Sequence, residues 1–157
     1  DEKRLLYELS QMSNKNHLKL TKLALATGFR RSELLSLTWR NIDLKKKLIY
    51  IYSKNCAATD NSSAPRLIPL PCKAKKILEE LQARDGKVIG LSKGAARNGF
   101  DKARKRAGLE TLRFHDLRHI AISRMWSSGM NALEISACSG HRDIKMLMRY
   151  SHYQLSF

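Results

Sequence analysis

Apolar residues fall at Leu5, Leu6 and Leu9, and again at Leu18, Leu20, Leu23, Ala24 and Leu25. Such intervals of three and four residues mark one face of a helix. Helices are therefore predicted over 4–13 and 17–26, with Thr27-Gly28 stopping the second. A short helix over 31–37 follows, closed by Trp39, and Asn41 and Asp43 mark a turn. The period then changes. Leu48-Ile49-Tyr50-Ile51-Tyr52 is β-branched and aromatic and reads as a strand. Residues 66–70 supply a partner whose Pro69 places it at an edge. Between the two strands, residues 55–65 are rich in Ala, Ser, Asn and Asp and read as a mobile hairpin loop. Helical spacing returns over 72–84, with Ile77, Leu78 and Leu81 inward, and glycines 86, 90 and 94 punctuate a connector. Further helices are predicted over 94–107, 115–128, 131–138 and 143–150. The fold class is mainly helical α+β with one small antiparallel sheet.

At 157 residues, with 43% hydrophobic content, the chain fits one domain with a real core. No apolar run approaches the ~20 residues of a membrane-spanning helix, and the Asp1-Glu2-Lys3-Arg4 start lacks the apolar stretch of a signal peptide. The absence of an initiator Met leads us to expect a domain of a longer protein. Cys56, Cys72 and Cys138 are odd in number and widely spaced, which argues against a disulfide framework or a zinc ribbon and for a reducing compartment.

Charge changes the picture most. Thirty Lys and Arg against fourteen Asp and Glu give a net charge of +16. So large a surplus implies a polyanionic partner. With only 7% aromatic residues and with bases spread along the chain, nucleic acid is favoured over an anionic membrane surface or a charge kept for solubility. Eleven Lys and Arg against four Asp and Glu lie between Arg84 and Met125. Within that stretch Lys93, Arg97 and Arg104 could line one side of a groove and pair with phosphates.

The densest chemical cluster is His115-Asp116-Leu117-Arg118-His119. On a helix His115 and Arg118 share a face, and a forked donor beside a titratable one makes a site for an anionic oxygen. The His-to-His spacing superficially mimics a zinc helix. Asp116, however, is a methylene shorter than the required Glu, and a guanidinium on the same face repels a dication, so no metal is expected. His119 reads as a packing or hydrogen-bonding residue. Elsewhere, Arg30 and Arg31 follow a glycine turn with Glu33 three residues after Arg30, Lys54 ends the first strand, and His141 follows Gly140.

Taken in order, these motifs resemble the catalytic domain of the tyrosine site-specific recombinases, the phage integrase family. The resemblance rests on Ala26-Thr27-Gly28-Phe29-Arg30-Arg31-Ser32-Glu33-Leu34, on Lys54 with Arg66-Leu67-Ile68-Pro69-Leu70, on His115-Asp116-Leu117-Arg118-His119, and on Gly140-His141-Arg142-Asp143-Ile144 before Tyr150-Ser151-His152. It runs from about Leu5 to Tyr153. Arg113, Ile120 and Ser139 stand where the family more often has a small residue or Thr, a Thr and a Leu. The loop between Lys54 and Arg66 is longer than in compact members.

That resemblance implies that Arg30 and Arg118 clamp the scissile phosphate, Lys54 is the hairpin lysine, His115 and His141 are active-site histidines, Tyr150 is the nucleophile and Glu33 is a supporting acid. It implies transesterification of duplex DNA through a 3′-phosphotyrosyl link, with no metal or nucleotide cofactor. It further implies a separate N-terminal DNA core-binding domain outside this chain, a synaptic tetramer on DNA in the full-length protein, and a cytoplasmic, nucleoid-associated bacterial or phage protein. The C-terminal segment that family members exchange between protomers is expected to be absent or minimal here, since the chain ends seven residues after Tyr150. A fragment of this kind is expected to bind DNA weakly and recombine poorly. Two other readings stay open: a catalytically silent DNA-binding module of the same fold, and type IB topoisomerase-like nicking and closing. A metallohydrolase is a weak third.

Overall fold

The computed structural model describes residues 1–52, 65–81, 85–141 and 143–148. Helix α1 (Glu2–Ser10) sets Leu5 and Leu9 inward, and α2 (Asn16–Thr27) lies behind it. Buried Leu20, Thr21, Leu23, Ala24 and Leu25 occupy more than one face of α2. A helix apolar on several sides must be covered on several sides. Accordingly α2 packs against α1, α3 (Arg31–Ser36), α4 (Cys72–Glu79), α5 (Lys93–Arg106) and α6 (Asp116–Ser127). Helix α7 (Ala132–Ser139) packs on α6 and on the sheet.

The sheet has three strands in the order β1 (Ile42–Asp43), β2 (Leu48–Ile51) and β3 (Arg66–Pro69), all antiparallel. Ile49 pairs with Ile42 on one side and Ile68 on the other. The inward face of β2 and β3, Ile49, Ile51 and Ile68, joins the core formed by Phe29, Leu34, Leu78, Leu117 and Ile122. Tyr50 and Leu67 take the other face, as period-two alternation requires.

Most predicted elements are present, with four differences, one being that α4 stops at Glu79 rather than 84. Strand β1 was read only as a turn, because two residues are too few to show a period. Helix α1 stops at Ser10 rather than 13, where the Ser10 hydroxyl donates back to the Tyr7 carbonyl and the Lys15 ammonium takes the Ser10 carbonyl. Within 143–148, the described part of the helix predicted over 143–150, the backbone instead forms a 3₁₀ turn, Ile144–Met146. Asp143 caps it through the Lys145 N–H. Among these described residues Ile144, Met146 and Met148 lie exposed and Leu147 alone is buried, so they carry no apolar stripe to hold an α-helix down.

Candidate active site

Two helix-ending glycines organise the cleft. Gly28 closes α2 and Gly140 closes α7, with φ of 67° and 72°, a left-handed conformation that favours glycine. Each turn presents its carbonyl to an arginine. Arg118 Nη1 donates to the Gly28 carbonyl at 2.8 Å, and Arg30 Nη2 donates to the Gly140 carbonyl at 3.3 Å. Residues 90 and 110 positions apart are thereby joined at one place.

Arg118 is 3% exposed, one of very few buried charged side chains among the described residues. Beyond Gly28, its Nη2 lies 3.2 Å from both ring nitrogens of His141. Arg30 sits at the N-cap of α3 with its side chain 46% exposed. Glu33 holds it twice, accepting the Arg30 backbone N–H at 2.8 Å on Oε2 and Nη1 at 3.2 Å on Oε1. The same Oε1 takes Arg66 Nη2 at 3.4 Å, so a third guanidinium, from β3, lies behind the first. Arg66 also fills the space that a Cβ on Gly140 would need.

His115 caps the start of α6, and its ring meets that of His119 edge-on at 4.9 Å. The Asp116 carboxylate accepts the Arg113 backbone N–H at 2.7 Å, so it shapes the turn into α6. A cleft of about 260 Å³ opens between Phe29, Arg30, Arg31, Arg113, Phe114, His115 and Arg118. Arg31 lies over the Phe114 ring at 5.8 Å, which keeps its cation at the rim.

His141 is held from α7. The Ser136 hydroxyl donates to the His141 carbonyl at 2.7 Å, and Ser139 Oγ lies 2.7 Å from Nδ1. The pKa of His141 is pushed down to about 4, first by burial and then by Arg118, Arg30, His119 and His115. His115 is lowered too, by lost hydration and then by His119 and Arg118. His141 thus feels His115, and both histidines feel both arginines. All four form one electropositive site in which neutral imidazole is the favoured free state.

The sequence matches the family model described as "Phage integrase family" over residues 1–156. The chain belongs to the phage integrase family. Among its relatives are a shufflon-specific DNA recombinase of Escherichia coli, 38% identical over 83% of this chain and 33% of that protein, and the integrase of Salmonella phage P22, 28% identical over 85% and 38%. The chain therefore spans little more than a third of the length of these relatives. In structure it resembles the catalytic domain of bacteriophage HP1 integrase, with a TM-score of 0.75 and 27% identity over 96% of this chain and 83% of that one. These family names are recombinases and integrases, which does not favour the silent-module or nicking–closing readings.

Of the family positions, Arg30, Glu33, His115, Arg118 and His141 are brought together. Lys54 and Tyr150 lie outside the described residues. On α5, Lys93 and Arg97 are exposed at the helix start, Arg97 in a loose pair with Asp101 at 3.9 Å, whereas Arg104 is held by Asp101 at 2.7 Å and by the Glu110 carbonyl. Sequence reasoning gave no site role to Arg31, Arg66, Arg113, Ser136 or Ser139. Arg66 could have been suspected, as a charge placed in an otherwise apolar strand.

Proposed function

We propose that the complete protein is a site-specific DNA recombinase and that this chain is its catalytic domain. The observation that carries the reading is the convergence of Arg30 at the start of α3, His115 and Arg118 on α6, and His141 after α7, three separate segments, at one place. A phosphodiester is the ligand class such a site fits: forked guanidinium donors match phosphoryl oxygens, and imidazoles beside them hold or pass a proton.

In this reading Tyr150 Oη attacks the scissile phosphorus, a 3′-phosphotyrosyl bond forms and the bond to the 5′-oxygen breaks. Attack by a 5′-hydroxyl from the same or a partner strand reverses the step. The covalent link conserves the bond energy, so no cofactor is required. A phenol with pKa near 10 is only about one part in a thousand ionised at neutral pH, a cost of roughly 4 kcal/mol. A cationic cleft with neutral His115 as base lowers that cost. Arg30 and Arg118, fixed in advance by Glu33 and by the two glycine carbonyls, stabilise the charge that grows on the equatorial oxygens. Lys54 is the candidate acid for the leaving oxygen. Lys93 and Arg97 extend the phosphate-binding surface of double-stranded DNA along α5.

Self-association into a tetramer on DNA belongs to the same reading. It is supported by an apolar groove of about 750 Å³ whose lining includes Leu6, Leu25, Ile77, Met125 and Met130. A segment of a neighbouring protomer suits that groove. The complete protein would work in the cytoplasm, where such DNA is found.

The test is incubation of the full-length protein with a nicked suicide DNA substrate. A denaturation-resistant adduct is expected, lost in Tyr150→Phe while DNA binding persists. An adduct that survives Tyr150→Phe removes Tyr150 as the nucleophile.

A further inference from the structure

We propose that Arg31 and Arg113 form a second phosphate subsite in the cleft, which takes the phosphate next to the scissile one on the same strand of DNA. The proposal rests on the reading of the cleft as a phosphodiester site and adds two residues to which that reading gives no task.

The guanidiniums of Arg30, Arg31, Arg113 and Arg118 border one cleft of about 260 Å³, together with His115. The carboxylates nearby are engaged elsewhere. Glu33 holds Arg30 and Arg66, and Asp116 accepts the Arg113 backbone N–H. Among the described residues no carboxylate pairs with the guanidinium of Arg31 or Arg113. Like charges gathered this closely repel one another, and a bound anion relieves them. One phosphodiester does not suffice for all four. It has two non-bridging oxygens, and the two forked donors of Arg30 and Arg118 match them.

The backbone keeps the second pair apart from the first. Arg30 is the extended N-cap of α3 and Arg31 its first helical residue, so consecutive side chains diverge. Arg30 turns to Glu33 and the Gly140 carbonyl, whereas Arg31 lies 5.8 Å from the centre of the Phe114 ring. Phe114 is held edge-on by Phe100 of α5 at 5.2 Å. A ring attracts a cation without offering it a lone pair, so Arg31 is fixed in place with its N–H donors left for an anion. Arg113, exposed, directly precedes Phe114. The opposite strand lies across a groove at least about 6 Å wide, beyond a cleft of this size. The adjoining phosphate of the same strand is the one in reach.

The experiment measures binding of the full-length protein to the suicide duplex with one phosphate at a time replaced by a neutral methylphosphonate. The clamped phosphate is located without cleavage, as the position whose neutralisation weakens the wild type but not Arg30→Ala. A neutral linkage at one of its two neighbours on that strand should weaken the wild type about tenfold, the loss expected for a charge-assisted hydrogen bond. It should not weaken the double variant Arg31→Ala/Arg113→Ala further, while neutral linkages elsewhere weaken both proteins alike. The slope of log affinity against log salt should be shallower in the double variant by about 0.9, as for one phosphate. A change of about 1.8, as for two phosphates, overturns the shared subsite. So does coupling to the other strand, to a position not adjoining the one coupled to Arg30, or to none. Should the double variant not fold, Arg113→Gln, at an exposed position, must show the same coupling at smaller size. A wild type that shows the pattern yet forms no adduct sinks the recombinase reading and leaves the subsite standing. An adduct formed without the pattern does the reverse.

Discussion

The two arginines of the cleft have the same chemistry and opposite surroundings. Arg118 runs through the interior, 3% exposed, and ties the end of α2 to His141. Arg30 lies at the rim with its side chain 46% exposed and is steadied by Glu33 and the Gly140 carbonyl. A buried guanidinium is tolerated only when fully hydrogen-bonded, and removing it strands its partners. An exposed one is screened, and its ion pair adds little to stability. In the proposed reading one arginine therefore serves fold and phosphate together, while the other serves the phosphate almost alone.

The sharpest way to break that contrast is to remove each arginine in turn. Arg118→Ala should lower stability by about 3 kcal/mol, since a buried charge and its hydrogen bonds are lost and a cavity remains. Arg30→Ala should change stability by less than about 1 kcal/mol. Adduct formation should fall at least about a hundredfold in both, the usual cost of losing one preorganised donor to a developing oxyanion. Urea melts and single-turnover cleavage on the suicide substrate separate the two quantities. Equal destabilisation by the two substitutions would end the distinction.

The two glycine turns carry a smaller version of the same difference. Both have positive φ, so alanine costs about 1 kcal/mol at either through backbone strain alone. At Gly28 a new methyl meets Ala121 Cβ at 3.5 Å, an ordinary contact. At Gly140 it runs into the Arg66 guanidinium, which is in turn bound to Glu33. Gly140→Ala should therefore be the more destabilising and should also slow cleavage, because Arg66, Glu33 and Arg30 shift as a unit. Thermal melts of the two variants check the order, and a larger loss in Gly28→Ala would contradict it.

How much of this was readable beforehand follows from what each feature depends on. The helices with strong periodicity, α1 and α4, were legible because burial is written into their spacing. The site motifs were legible as short strings. What joins them was not. That Arg118 reaches Gly28, that Arg66 stands behind Gly140, and that Ser139 faces the His141 ring are contacts between elements, and no local pattern encodes them. Arg118 was expected on a phosphate-facing surface, yet its face of α6 is largely interior, because α2 and α6 close over it. The missed strand β1 and the overlong last helix fail for a related reason. Two-residue strands and single turns are fixed by neighbours more than by propensity.

The effect confined to the narrowest range of conditions comes from His141, where both arginines act at once. Unfolded, its ring takes up a proton near 6.5; folded, not until about 4. Between those values the unfolded state holds more protons, so stability falls on acidification from 6.5 toward 4 and is indifferent to this group above 6.5. Partial exposure screens the interaction, which leaves on the order of 1–2 kcal/mol rather than the full linkage value. Arg118 stands ahead of Arg30 among the charges that depress the ring. His141→Gln should thus flatten the decline in melting temperature between neutral and mildly acidic buffer, and Arg30→Ala should flatten it less. An unchanged decline in His141→Gln would mean that the acid sensitivity lies elsewhere, with His115 the next group to examine because its pKa is lowered in the same direction.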